Sequence, residues 1–295
     1  MGTIVAIGAH HDDVELRSGG TLAKYLRNGW HVTYVVATTT PHYWAFPEEE
    51  ETGKYRSNVE AIELRKEEAR KGATTLGISD INFFDFKSLY WYKEGTLDRR
   101  FFDGHQTTVE EFEYLTNSLP GREFIVTAHH CPAAVSFLCD FLRSKKADIV
   151  LTHFPEDGHW EHYATARFVC ASARKLLAEG TRINLYAWEQ GGAGNMLPSF
   201  APSHFVDISE TIDLKCSALR AFVSQFPDHN PEMFATRARK KAKEYGALCG
   251  MQYAEPFMKF DVEWVPQDTI HVAPTYDPEK TKRELEPAGE WHPEP

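Results

Sequence analysis

The stretch TIVAIGAHHDDVELRSGG, residues 3–20, decides the fold. Residues 3–9 are apolar or small without interruption, the pattern of a strand buried on both faces. Four ionisable side chains follow, His10, His11, Asp12 and Asp13. A glycine pair, Gly19 and Gly20, then opens a helical pattern over 19–28, with Ser18 as its expected N-cap. A buried strand that carries a polar cluster at its carboxyl end and turns into a helix is half of a parallel βαβ unit. In open α/β sheets, ligands bind outside that end of the strands.

The alternation continues outward. Strand patterns fall at 31–38, 81–86, 148–153 and 183–189, and helical patterns at 59–76, 135–144 and 161–178. Together they predict an α/β fold, a Rossmann-like three-layer sandwich whose mostly parallel sheet carries helices on both faces. Two stretches rich in aromatic and charged residues, 41–58 and 88–122, interrupt the pattern as insertions, of the kind that form the rim of a site. Amphipathic helices are expected at 211–225 and 231–248. From residue 266 the chain is rich in Pro and Glu, and is expected to run extended over the surface or to a neighbouring subunit of a homo-oligomer. No repeat or linker divides residues 1–265, which read as one domain.

Composition narrows the class. Hydrophobic residues make up 42% and charged residues 25% of the 295, as in ordinary globular proteins. A net charge of −11 disfavours nucleic acid or an anionic membrane as partner, since both require a basic surface. No apolar run approaches the roughly 20 residues of a membrane span, and no basic leader precedes an apolar segment. The five cysteines, at 131, 139, 170, 216 and 249, form no CxxC pair and read as free thiols of a cytoplasmic protein.

A second polar cluster matches the first. LTHFPEDGHWEHYA, 151–164, also follows an apolar run and leads into a helix, with His159 and His162 three residues apart near the helix start. Alone, either cluster reads as N-caps and polar groups at strand ends. If the two strands are neighbours, however, His10, Asp13 and His162 converge as a two-histidine, one-carboxylate set. Such a set suits Zn²⁺ holding a water, and also Fe²⁺ or another divalent ion.

At these residues the chain resembles the LmbE/PIG-L-like N-deacetylase family. The family motif A-H-P-D-D-x-E with a glycine pair reads here A-H-H-D-D-V-E, from Ala9 to Glu15, with Gly19 and Gly20. The later motif H-x-x-x-D-x-H-x-D-H reads H-F-P-E-D-G-H-W-E-H, from His153 to His162. Between them, Arg65 and Glu68 match an R-x-x-E helix, and 207–226 and 253–257 also fit the family pattern. The resemblance implies that His10, Asp13 and His162 hold zinc. It implies that Asp12 is the general base, and that His159 stabilises or protonates the tetrahedral intermediate. The activity implied is removal of an N-acyl group, acetyl in the commonest case, from a small amino sugar or sugar-containing metabolite. An amidase on a thiol-sugar conjugate and a non-catalytic carbohydrate-binding relative are the alternatives.

The chain departs from the family in places. His11 stands where proline is usual, leaving three expectations: a solvated rim residue, a pocket lining or an altered metal site. Glu161 replaces an aspartate and is expected to orient His159. Asp157 stands where some relatives place a tyrosine near the oxyanion, and Arg17 and Ser18 replace small residues. Arg65 and Glu68 read either as a surface ion pair or as organisers of the site. The aromatics of PHYWAF (41–46) and LYWY (89–92) suit sugar stacking or loop packing equally. His129 and His130 read as structural or rim residues, GGAGN (191–195) as a turn, and Ser224 and Gln225 as helix braces. No chemistry attaches to Glu255.

Overall fold

The computed structural model of the chain describes residues 2–92, 99–101, 124–188, 200–226 and 228–265. The strands are β1 (Thr3–Gly8), β2 (His31–Thr39), β3 (Asp80–Lys87), a pair of three-residue strands β4 (Tyr90–Tyr92) and β5 (Arg99–Phe101), β6 (Ile149–His153), β7 (Asn184–Trp188), β8 (His204–Asp207) and β9 (Ala254–Phe260). The helices are α1 (Asp13–Arg27), α2 (Pro47–Thr52), α3 (Asn58–Thr75), α4 (Ile125–Ala128), α5 (Pro132–Lys145), α6 (Trp160–Ala178), α7 (Ile212–Leu219) and α8 (Glu232–Cys249).

Seven strands form one sheet in the order β3-β2-β1-β6-β7-β9-β8, while β4 and β5 pair separately. The first five of that order are mutually parallel, and β9 runs antiparallel to both β7 and β8. Every residue of β1 is buried, as a central strand covered on two sides requires. Its side chains alternate between two cores. Val5 and Ile7 pack with Leu138, Leu142, Phe168 and Val169 of α5 and α6 on one face. Ile4 and Ala6 pack with Val14, Leu22, Ala69 and Ala73 of α1 and α3 on the other. This is the expected three-layer sandwich. The strand order reverses between β1 and β6, whose pairing sets Ile4 opposite Ile149, so the carboxyl ends of these two strands frame the crevice of the sheet.

Three elements differ from expectation. Helix α1 begins at Asp13, six residues before the glycine pair, and Ser18 lies inside it with its hydroxyl donating to the Val14 carbonyl (3.0 Å). The glycines serve a close approach: a Cβ on Gly20 would lie 2.8 Å from the Ile208 side chain. The helix expected over 211–225 stops at Leu219 and resumes as a 3-10 turn at Val223–Gln225, because the Ser224 amide is taken by Glu68 (2.8 Å). The short antiparallel strands β8 and β9 were not foreseen. The expectations for 191–195, for most of 88–122 and for the tail from 266 lie outside the described residues. No described helix is long and apolar enough to cross a membrane. All five cysteines are free thiols.

Candidate metal centre

β1 ends at Gly8, and the chain folds back at once into α1. A Cβ at Gly8 would sit 2.9 Å from the Asp13 Cβ, so only glycine admits the turn. The His10 amide donates to Asp13 Oδ2 (2.6 Å), closing the loop and aiming both side chains to one side. On the neighbouring strand, β6 ends at His153, and α6 starts after His159, whose Nδ1 accepts from the Glu161 amide as an N-cap (3.3 Å).

The two clusters meet. His162 Nε2 lies 3.1 Å from His10 Nδ1 and 3.5 Å from Asp13 Oδ1, and His10 Nδ1 lies 3.5 Å from Asp13 Oδ2. A tetrahedral ion with ligand bonds of about 2.0–2.1 Å sets its donors roughly 3.3 Å apart, so the two imidazole nitrogens are spaced as ligands of one divalent ion, and each has a different oxygen of the Asp13 carboxylate at 3.5 Å. Electrostatics agree. Burial opposes a charge on Asp13, yet the facing His162 and His153 hold its carboxyl well below the usual range. Burial, with His153 beside it, keeps His162 neutral, its pKa well below the ordinary value. Its Nδ1 faces Asp157 Oδ1 at 3.5 Å, an oxygen that already accepts from the His159 amide (2.8 Å). His162 Nδ1 makes no hydrogen bond, and Nε2 is the nitrogen that faces His10 and Asp13.

His10 is held between two carboxylates. Burial lowers its pKa, but Asp13 and Glu161 outweigh it and raise the value to about 10. Glu161 Oε2 lies 2.6 Å from His10 Nε2, leaving Nδ1 as the donor from which an ion would displace a proton. Here the structure corrects the expectation for Glu161. Its carboxylate lies against His10 and accepts from the Leu89 amide (2.8 Å), and its backbone N–H donates to the His159 ring. With Nδ1 of His159 accepting, Nε2 is the nitrogen left to carry the proton of a neutral ring. Burial holds this imidazole well below its ordinary pKa.

Asp12 stands at the N-cap position of α1 but makes no side-chain cap hydrogen bond. Its Oδ1 lies 3.7 Å from the Arg65 guanidinium. Arg65 and Glu68 are buried, not a surface pair. His11 is fully buried against the Phe83 ring (centroids 5.9 Å apart), with neither ring nitrogen hydrogen-bonded, so it is not a rim residue. Burial and the nearby Arg65 keep it neutral. Nor is it in either cluster of ligand-capable atoms among the described residues, His10–His159–His162 and Asp13–His153–His162. Asp157 braces His159 and His162 from behind, and burial pushes its carboxyl up. Tyr43 and Phe46 pack within the 41–46 loop: the Tyr43 hydroxyl donates to Glu49 (3.1 Å), and Phe46 stacks on His229 (4.3 Å).

Sequence reasoning missed His153 as a working residue. Its ring stacks on His162 (centroids 4.1 Å, 5° between planes) and is fully buried. The Trp188 indole N–H points at its Nδ1 (3.2 Å) and the Ala9 amide at its Nε2 (2.9 Å). Nε2 also lies 3.2 Å from Asp13 Oδ2, so His153 stands against the buried carboxylate as well as against His162. The available signal was its place as the last residue of β6.

A family model described as PIG-L, GlcNAc-PI de-N-acetylase, matches residues 5–173. The chain belongs to the PIG-L family. The matched span runs from β1 into α6 and so contains both strand ends of the crevice. Among relatives in this family, the chain is 26% identical over 281 residues to diacetylchitobiose deacetylase of Thermococcus kodakarensis, covering 92% of this chain and 86% of that protein. The structure of N,N'-diacetylchitobiose deacetylase from Pyrococcus horikoshii with an inhibitor superposes with a TM-score of 0.61 at 20% identity, over 90% of this chain and 85% of that one. GalB, the 4-carboxy-2-hydroxymuconate hydratase of Pseudomonas putida, superposes with a TM-score of 0.60 at 20% identity, over 92% of this chain and all of GalB. These superpositions show a shared fold.

Proposed function

We propose that this chain is a divalent-metal-dependent hydrolase that removes an acetyl group from the nitrogen of a small amino-sugar substrate. The carrying observation is the approach of His10 Nδ1, Asp13 and His162 Nε2 to within 3.1–3.5 Å of one another, with an uncapped carboxylate, Asp12, beside them. Family membership and the deacetylase relative support the choice of bond. We assign residues 1–265 to the catalytic unit and 266–295 to a tail, and five free thiols support a cytoplasmic setting.

His10, Asp13 and His162 hold the ion, and zinc is the metal we assign among the divalent ions this donor set suits. When bound, it polarises the amide carbonyl and lowers the pKa of water at the site towards about 7. Asp12 takes the proton of the attacking water. His159 Nε2–H donates to the carbonyl oxygen as negative charge develops there. Asp12 then returns its proton to the departing nitrogen, and acetate and the free amine leave.

The test is amine release from N-acetylglucosamine and N,N'-diacetylchitobiose, before chelation, after it and after zinc is restored. Activity that disappears and returns supports the reading. One bound metal per chain with no release from any acyl-amine would falsify it and leave a carbohydrate-binding relative.

A further inference from the structure

Asp12 leaves the start of α1 without the hydrogen bond to a helix amide that an aspartate at this position normally makes. Its orientation comes from the side instead. Arg65 Nη2, on α3, lies 3.7 Å from Asp12 Oδ1. One turn along its helix, Arg65 Nη1 lies 3.5 Å from Glu68 Oε2, an ion-pair contact without a hydrogen bond. Glu68 is in turn fixed by two donors from the 3-10 turn: the Ser224 amide to Oε1 (2.8 Å) and the Ser224 hydroxyl to Oε2 (2.7 Å). Arg65 is 1%, Glu68 3% and Ser224 0% exposed, so the links behind Asp12 are shielded from water.

The chain of contacts therefore joins residues 12, 65, 68 and 224 through three separate elements. A long, flexible arginine aimed at a single carboxylate oxygen needs a fixed anchor at its other end, and a carboxylate bound by two N–H and O–H donors supplies one. Burial pushes the Glu68 carboxyl up, and the Arg65 charge and the Ser224 hydrogen bonds oppose that rise. The Ser224 carbonyl also accepts from the Trp44 amide (2.8 Å), and Gln225 donates to the His42 carbonyl (3.2 Å). The turn that anchors Arg65 thus also fixes the loop leaving the carboxyl end of β2.

We propose that Glu68 and Ser224 are positioning residues for Asp12, acting through Arg65. The proposal rests on the reading of Asp12 as the base of an amide hydrolase. Neither residue touches substrate; each sets where the Asp12 carboxylate points.

A double-mutant cycle on the zinc-loaded, full-length protein decides it. Glu68→Gln and Ser224→Ala should each lower kcat, by as much as about a hundredfold for a misplaced base, with KM and bound zinc unchanged. Ser224→Thr, which keeps the hydroxyl, should restore kcat. In an Asp12→Asn background, the same substitutions should cost nothing further. A rise in KM at constant kcat, or equal losses in both backgrounds, overturns the proposal. Ser224→Ala stands in if Glu68→Gln does not fold. If the parent protein releases no amine from any acyl-amine, the hydrolase reading fails, and crystal structures of the two variants decide the positioning alone. An Arg65 guanidinium withdrawn from Asp12 supports it, and an unmoved one overturns it.

Discussion

Adjacent aspartates in this site face different environments, and the difference supports the roles proposed for them. Asp13 is 3% exposed, takes the His10 amide on Oδ2 and faces three imidazoles, as a ligand should. Among the described residues, Asp12 has only the Arg65 guanidinium within ion-pair distance, and it is partly exposed. We therefore expect Asp13→Ala to abolish zinc binding, measured by metal analysis after dialysis. Asp12→Ala should retain one zinc per chain and lose activity by about 10²- to 10⁴-fold. A second prediction concerns Glu15, buried beneath the pair. Burial, reinforced by Asp12 and Asp13, raises its carboxyl well above the usual range, and the Tyr34 hydroxyl donates to Oε2 (3.1 Å). In metal-free protein the native state then binds more protons than the unfolded state at any pH above the ordinary glutamate value, up to the raised one. Stability must fall as pH rises through that window. Glu15→Gln removes the titration, so its melting temperature should fall less between pH 5 and 8 than that of the parent.

Much of this site was legible because ligands must be histidine or carboxylate and must stand at strand ends. His10, Asp13 and His162 announce themselves by type and spacing. The partners behind them do not. Glu161 serves His10, 151 residues away, because its carboxylate reaches across the crevice, and no local spacing encodes that. His153 stood at a strand end and opened the second motif, but its stacking on His162 is a tertiary contact that no spacing shows.

Among the elements, α1 depends most on remote contacts. Midway along it, the Gly20 and Thr21 amides donate to Glu255 on β9 (3.0 and 2.7 Å), and the Thr211 hydroxyl donates to the Gly20 carbonyl (2.8 Å). Lys215 of α7 pairs with the same Glu255, both residues being buried. This gives Glu255, for which the sequence offered no chemistry, a structural duty: it ties β9 and α7 to the helix that begins at Asp13. Glu255→Ala leaves a buried lysine unpaired and two amides without their acceptor. It should cost about 3–5 kcal/mol, read as a lower denaturant midpoint at constant m-value. Loss of the exposed Glu232, paired with Arg220, should leave the midpoint where it was. Long elements such as α3 and α6 were readable from their own apolar period. β8 and β9 were not, since four and seven residues with Pro256 at a pairing position carry no clear alternation. The start of α1 was misjudged because its first turn is made of site residues rather than apolar ones.

At the scale of the whole molecule, the centre exists only when β1 and β6 are neighbours. Its donors come from both sides of the sheet's reversal point, and no short piece of the unfolded chain holds all three. Zinc must therefore bind the native state far better than the unfolded one, and binding becomes folding free energy. Without the ion, His10 is protonated at neutral pH between two carboxylates, and that proton must leave when zinc enters. Two consequences can be measured together by calorimetry. Free zinc at 100 times its dissociation constant should add about 2.7 kcal/mol of stability, and chelator should remove it. The zinc-dependent rise in melting temperature should also shrink as pH is lowered, because protons then compete harder for His10. His162→Ala should melt at one temperature with zinc or chelator present. A zinc-dependent shift surviving in that variant would mean the ion sits elsewhere, since the Nε2 donor facing His10 and Asp13 would be gone.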